Sequence, residues 1–308
     1  MAALHHHFRP LHAHGYHAQI TTIPGESHLI ARRMGYAFVT MLFMPFDVQA
    51  QRTVAAPAGI AHIAVRASDV EREVSFLAKL GFEEAFANTA NGQTTQAFVK
   101  VNDRQFIEVY PQSAAGEAPG PLGMMHVCYE AADLRVLFDG YTASGLNPSS
   151  WRKAGAGNLL FNLADPDGRV TEFTQYMPGS RQMNDVGQHL GKARVAGKII
   201  GFEMPVGDEK SALQFYESMG FARLIDGKNL TFGLAGNPQV RIVFLTGQKN
   251  ARPELLFSTD DARAAANQLL ANGLKHKQNG NKLVVRDPDG NAFVIIEPGK
   301  KRAPSVIH

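Results

Sequence analysis

His62, Glu108, His126 and Glu172 form two pairs with one spacing: Glu108 follows His62 by 46 residues, and Glu172 follows His126 by 46. Each lies in a short apolar run: Ile-Ala-His62-Ile-Ala-Val, Phe-Ile-Glu108-Val-Tyr, Met-Met-His126-Val-Cys-Tyr and Val-Thr-Glu172-Phe-Thr. Such runs read as strands, and an imidazole or carboxylate inside one must leave water and find a partner. Two imidazoles and two carboxylates suit one divalent metal ion. Ion pairing alone explains the set poorly, because neutral histidines would leave both carboxylates weakly compensated.

The elements that must position these groups come from an internal repeat. The first unit runs from the His62 strand to Asp69, an N-cap, then through Val70, Val74, Leu77 and Leu80 on one helical face to Gly81. The second has the His126 strand, Asp133, a helix through Val136, Leu137 and Tyr141, and Gly145. The third has Ile199 to Met204, Asp208, a helix with Leu213, Phe215 and Tyr216, and Gly220. The fourth has Pro253 to Phe257, Asp261, a helix with Ala265, Leu269 and Leu270, and Gly273. His62 to Gly81, His126 to Gly145, Gly201 to Gly220 and Glu254 to Gly273 are each 19 residues apart. Further strand-like runs follow each glycine, so the unit is one strand, one helix and about three more strands. The second and fourth units share Asp-Pro-Asp-Gly, at 165–168 and 287–290, a tight turn into the last strand.

A tandem βαβββ unit, with His on the first strand, Glu on the last and Asp-Pro-Asp-Gly before it, resembles the vicinal oxygen chelate superfamily. That superfamily includes glyoxalase I, bleomycin-binding proteins and extradiol dioxygenases. The resemblance covers roughly residues 58 to 299 and implies an α+β fold, with four βαβββ units paired into two glyoxalase-like domains with curved mixed sheets. Matched residue by residue, it implies His62, Glu108, His126 and Glu172 as the ligands of one divalent ion, whether Zn, Ni, Co, Mn or Fe. The later pair departs from the pattern. Gly201, Glu254 and Val294 replace His62, His126 and Glu172, and the Glu108 position falls on Ile242 or Val243. That half is expected to bind no metal.

Strand alternation, in which i and i+2 share a face, adds pocket candidates: Arg66, Phe106, Tyr110, Met124, Cys128, Thr174 and Tyr176. The resemblance implies a lyase or isomerase acting next to a carbonyl of a small substrate, with Glu172 or Glu108 leaving the metal to act as base. An Fe(II) extradiol-type dioxygenase using His62, His126 and Glu172 is the alternative, although in those enzymes the metal sits in the later pair. A third reading is a small-molecule binding or resistance protein without turnover.

The 308 residues suffice for about two domains. A net charge of +3 with scattered Lys and Arg gives no footprint for a nucleic acid, and Cys128 alone allows no intrachain disulfide. A small-molecule partner and a monomer or homodimer are expected. The boundaries read as a leader at 1–50, the metal-binding domain at 58–178, a linker at 179–196, the degenerate domain at 197–299 and a tail at 300–308. The leader holds a His-rich tract, then Arg32-Arg33, an apolar run over 35–46 and Val48-Gln49-Ala50, the layout of a secretory signal. Cleavage after Ala50 would give a periplasmic or secreted protein with no membrane anchor, starting at Gln51. A misassigned start codon would instead leave it cytoplasmic.

Overall fold

The computed structural model describes residues 56–113, 118–224, 230–234, 236–248 and 250–299. The leader, with its export signal, and the tail at 300–308 lie outside the described residues. Four units follow one another. The first is β1 (Gly59–Ala67), α1 (Val70–Lys79), β2 (Glu83–Ala90), β3 (Gln93–Asn102) and β4 (Gln105–Pro111). The second is β5 (Gly123–Glu130), α2 (Leu134–Ala143), β6 (Arg152–Lys153), β7 (Leu159–Ala164) and β8 (Val170–Gln175). After a short helix, α3 (Arg181–Asn184), the third is β9 (Lys198–Pro205), α4 (Glu209–Ser218), β10 (Phe221–Leu224), β11 (Leu230–Leu234) and β12 (Asn237–Leu245). The fourth is β13 (Glu254–Ser258), α5 (Ala262–Ala271), β14 (His276–Asn279), β15 (Lys282–Arg286) and β16 (Ala292–Ile296).

Units pair within sheets. One eight-stranded sheet runs β2-β3-β4-β1-β5-β8-β7-β6, and the other runs β10-β11-β12-β9-β13-β16-β15-β14. In each sheet the first strands of two units lie antiparallel at the centre, and each pairs in parallel with the last strand of its own unit. The expected fold, four βαβββ units in two glyoxalase-like domains with mixed sheets, is the one observed.

Asp69, read as an N-cap, and the matching aspartates of the other units each accept a backbone N–H of the first helical turn: Asp69 from Arg72, Asp133 from Arg135 and Val136, Asp208 from Ser211 and Asp261 from Ala264. The buried faces differ in detail from expectation. In α2 the face is Leu134, Leu137 and Tyr141, so Val136, one residue and about 100° away, is exposed. In α5 Ala262, Ala265, Ala266 and Leu269 are buried and Leu270 is exposed for the same reason. In α4 Ala212 and Tyr216 are buried, while Leu213 and Phe215 only flank the core.

One continuous core joins both sheets and their helices. Phe76 of α1 meets Phe293 of β16 edge-on at 5.3 Å, and Tyr129 of β5 meets Phe221 of β10 at 5.1 Å. The segment between β8 and β9 is pinned by the fully buried Lys100, whose ammonium contacts Asp185 at 2.9 Å and Asp103 at 3.0 Å. His189, whose role no spacing argument assigned, pairs with Asp185 at 2.5 Å and takes no part in the His62–His126 cluster.

Two glycines after helices supply a matched stability test. Gly81 and Gly145 share a φ of +82°, but a Cβ on Gly81 would lie 2.4 Å from the Ala193 carbonyl oxygen, and one on Gly145 would meet nothing. Gly145→Ala should therefore cost only the left-handed backbone penalty of about 1–2 kcal/mol. Gly81→Ala should cost clearly more, read as a larger fall in denaturation midpoint. Equal losses would show that the crossing at Ala193 yields freely.

Candidate metal centre

Alternation sorts each strand of the first sheet. Ile63, Val65, Ile107, Val109, Val127, Tyr129 and Phe173 enter the core, which leaves His62, Glu108, His126 and Glu172 on the opposite face. Register then makes two rows across that face. Phe106, His62, Cys128 and Glu172 are successive partners in one, and Glu108, Ala64 and His126 in the next. The middle positions, Cys128 and Ala64, are small. Residues flanking a shared neighbour start about 9.6 Å apart, two strand spacings, so a large side chain between them would keep long ones from meeting.

Three of the four meet. One ligating atom from each of His62, His126 and Glu172 lies within 4.8 Å of the others, and among the described residues no other group of His, Cys, Asp or Glu converges in this way. His62 Nε2 is 3.2 Å from His126 Nε2 and 3.5 Å from Glu172 Oε1. Those separations are what neighbouring ligand atoms show when they share an ion at roughly 2.0–2.2 Å. Glu108 is placed differently. Its Oε1 lies 3.3 Å from Nδ1 of His62, on the ring edge away from the other two residues. Its Oε2 accepts from Gln96 Nε2 at 2.8 Å and from the Tyr110 hydroxyl at 2.9 Å. A proton on Nδ1 facing Glu108 leaves the Nε2 lone pair toward the centre, the usual way a supporting carboxylate orients a metal-binding imidazole.

The electrostatics fit a cation. Burial lowers the pKa of His62 to about 3, and burial with the neighbouring His62 lowers that of His126 to about 3, so both rings are neutral donors at pH 7. Burial, then the charge of Glu108, raises Glu172 to about 7. Burial likewise pushes Glu108 above the usual carboxylate range, against the opposing pull of His126, Tyr110 and Gln96. A buried carboxylate, Glu108, a part-buried one, Glu172, and two neutral imidazoles gather with no cation in direct contact, and a divalent ion would supply the compensating charge. The donor set fits one such ion.

Beside the centre is a cavity of about 190 Å³ lined by His62, Glu108, Glu172 and mostly polar side chains. Of the expected pocket residues, Tyr110, Thr174 and Tyr176 line it. Arg66 and Met124 instead line a separate cavity of about 550 Å³ between the two sheets, with His126 on its wall. They sit beyond the Glu108–His126 row, where Arg66 pairs with Tyr110 and Val65 with Met124. Phe106 is buried against Phe86, and Cys128 is buried with its Sγ 3.8 Å from the Tyr129 carbonyl oxygen, so neither lines either cavity. Asn88, Gln96 and Arg152 line the smaller cavity and were not expected there. Asn88 and Arg152 lie on edge strands with no buried residue, and Gln96 precedes the apolar part of β3, so none of them interrupts an apolar run.

Among its described residues, the second sheet brings no such group together. Gly201 pairs with Arg241, which puts Val243 at the Glu108 position and settles the choice between Ile242 and Val243. A Cβ on Gly201 would lie 1.7 Å from the Arg241 carbonyl oxygen, so no side chain fits there without a backbone shift. Val243 and Val294 join Ile200, Leu256 and Ala292 in an aliphatic cluster, and Glu254 lies 4.0 Å from Lys282.

Residues 59–173 match the Glyoxalase/Bleomycin resistance protein/Dioxygenase superfamily. The first sheet is a domain of that superfamily. Solved structures share the fold over most of the chain. Catechol 2,3-dioxygenase is 14% identical with a TM-score of 0.60, covering 80% of this chain and 92% of that one. The Mn(II)-bound glyoxalase from Novosphingobium aromaticivorans is 15% identical with a TM-score of 0.59, covering 79% and 82%. An extradiol ring-cleaving dioxygenase from B. fuscum is 16% identical with a TM-score of 0.58, covering 80% and 74%. No curated protein matches the sequence. At these identities the likeness is one of fold.

Proposed function

We propose that the protein is a divalent-metal-dependent lyase or isomerase that moves a proton on a carbon next to a carbonyl of a small oxygenated substrate. The supporting observation is the division of labour between the buried Glu108 and the part-buried Glu172. Glu172 joins both imidazoles, while Glu108 stands behind His62 with its carboxyl still lining the same cavity. A divalent ion held by His62, His126 and Glu172 would act as a Lewis acid toward the substrate oxygens.

Glu108 is the base. Burial makes its carboxylate more basic than a solvated one, which brings it closer to the operating pH of a proton-transfer catalyst. Tyr110 and Gln96 fix Oε2 in place, and an ionised carboxylate retains free lone pairs after accepting those bonds. The substrate C–H bond breaks toward Glu108 and the electron pair moves onto the carbonyl oxygen. As Glu108 returns the proton to the former carbonyl carbon, the adjacent hydroxyl gives up its proton and becomes the new carbonyl, while the former carbonyl oxygen takes a proton up as the new hydroxyl.

The experiment is exchange of carbon-bound hydrogen of 2-hydroxy carbonyl compounds with D₂O by metal-loaded protein. Glu108→Gln should slow exchange by about 10²–10⁴-fold, the usual contribution of general acid–base catalysis. Metal affinity should fall by only about 10–100-fold, as for a supporting group. Equal exchange rates in both proteins would rule out Glu108 as the base.

A second reading has one observation in its favour: the three converging atoms are a two-histidine-one-carboxylate set, which non-haem Fe(II) oxygenases use. Protein loaded with Fe(II) would then consume O₂ with a catechol and show no hydrogen exchange. Against it, His62 is the one histidine lining the cavity among the described residues, so no separate imidazole is free for acid–base work.

A further inference from the structure

The cavity beside the metal centre is small and polar, and its polar lining is almost wholly engaged within the protein. Asn88 donates to Gln96 and accepts from Arg181. Gln96 and Tyr110 both serve Glu108. Asn158 donates to Gln182 at 2.9 Å and accepts from the Met177 backbone N–H. The hydroxyls of Thr174 and Tyr176 donate to the carbonyls of Leu159 and Arg104. These bonds hold the cavity's shape and leave few donors for a ligand.

Arg152 is the exception. It is the one cationic side chain lining the cavity, and among the described lining side chains it is the one polar group with no hydrogen bond or ion pair. It sits on the two-residue edge strand β6, with its side chain exposed at the rim. A guanidinium offers five donors in a planar fork that matches a carboxylate. At about 190 Å³ the space falls below the roughly 300–1,000 Å³ usual for drug-sized ligands, so the occupant is compact.

We propose that Arg152 selects the substrate, pairing with a carboxylate that is separate from the oxygen atoms facing His62, His126 and Glu172. The substrate class is then a compact carboxylate carrying a second, oxygen-bearing group. This rests on the metal-centre reading, and the experiment separates the two.

Protein loaded with one equivalent of Co(II) is titrated by calorimetry with 3,4-dihydroxybenzoate, which has both features, and with its neutral amide. The acid should bind at least about tenfold more tightly than the amide, a preference of about 1.4 kcal/mol. Arg152→Gln should abolish that preference, and Arg152→Lys should keep part of it, while both variants still take up one Co(II). Equal affinity for acid and amide, a preference that survives Arg152→Gln, or no binding of the acid to protein that holds its Co(II) would each overturn the inference. Failure to take up Co(II) would instead strike the metal-centre reading beneath it.

Discussion

Replacing His126 with alanine is expected to weaken divalent-metal binding by about a hundredfold or more, beyond the roughly 10–100-fold cost of losing a supporting group. His126 supplies one of three converging ligand atoms, and its partner rows leave no substitute, since Ala64 and Cys128 are the small residues beneath the cluster. The metal-free variant should melt close to the wild type. His126 is a neutral buried ring whose Nε2 lies 3.2 Å from His62 Nε2, a contact between two acceptors unless a proton or ion lies between them. Calorimetric titration with Zn(II) and thermal melts with and without metal supply both numbers. Unchanged affinity would reduce the cluster to an inherited arrangement without a ligand.

The second large effect concerns stability and lies far from the centre. Glu73 of α1 is 1% exposed, and neither carboxylate oxygen has a hydrogen-bond partner. Burial, with the charges of Asp287 and Asp289, raises its pKa to about 9, against a weaker opposing pull from Arg72. The folded state therefore binds a proton that the unfolded chain releases near pH 4.5. The unfolded state holds fewer protons across that window, so stability is full below pH 4.5, declines as pH rises, and levels off above about 9. The slope is at most roughly 1.4 kcal/mol per pH unit. Between pH 6 and 8 the wild type should lose roughly 2–3 kcal/mol by urea unfolding. Glu73→Gln should flatten that dependence. A wild type as stable at pH 8 as at pH 6 would contradict the assignment.

How much of this was legible in the sequence depends on what kind of signal each residue gives. His62, Glu108, His126 and Glu172 announce themselves because each interrupts an apolar strand, and the repeated spacing fixes their shared face. The Asp caps and the turns at 165–168 and 287–290 are local chemistry and were readable residue by residue. The different placement of Glu108 was not readable. Alternation gives a face but not the direction in which a side chain leans along it, and here Gln96 and Tyr110 draw Glu108 to the far side of the His62 ring. Arg66 shares the site's face but lies beyond the Glu108–His126 row, and a register shift after Ala64 pairs Met124 with the core-facing Val65, so periodicity alone assigned both to the wrong cavity. Edge strands such as β2, whose residues are nowhere fully buried, and the two-residue β6 carry no apolar alternation. Arg152 was invisible for that reason.

Elemental analysis of the purified protein, after metal removal and dialysis against Zn, Ni, Co, Mn or Fe(II) in turn, tests the central claim most directly. One divalent ion per chain is expected with at least one of these metals, and the ion should be lost in a His62→Ala, His126→Ala or Glu172→Ala variant but kept when Glu254 is replaced by alanine. Substoichiometric metal under every condition, or one equivalent retained after both His62 and His126 are removed, would contradict it.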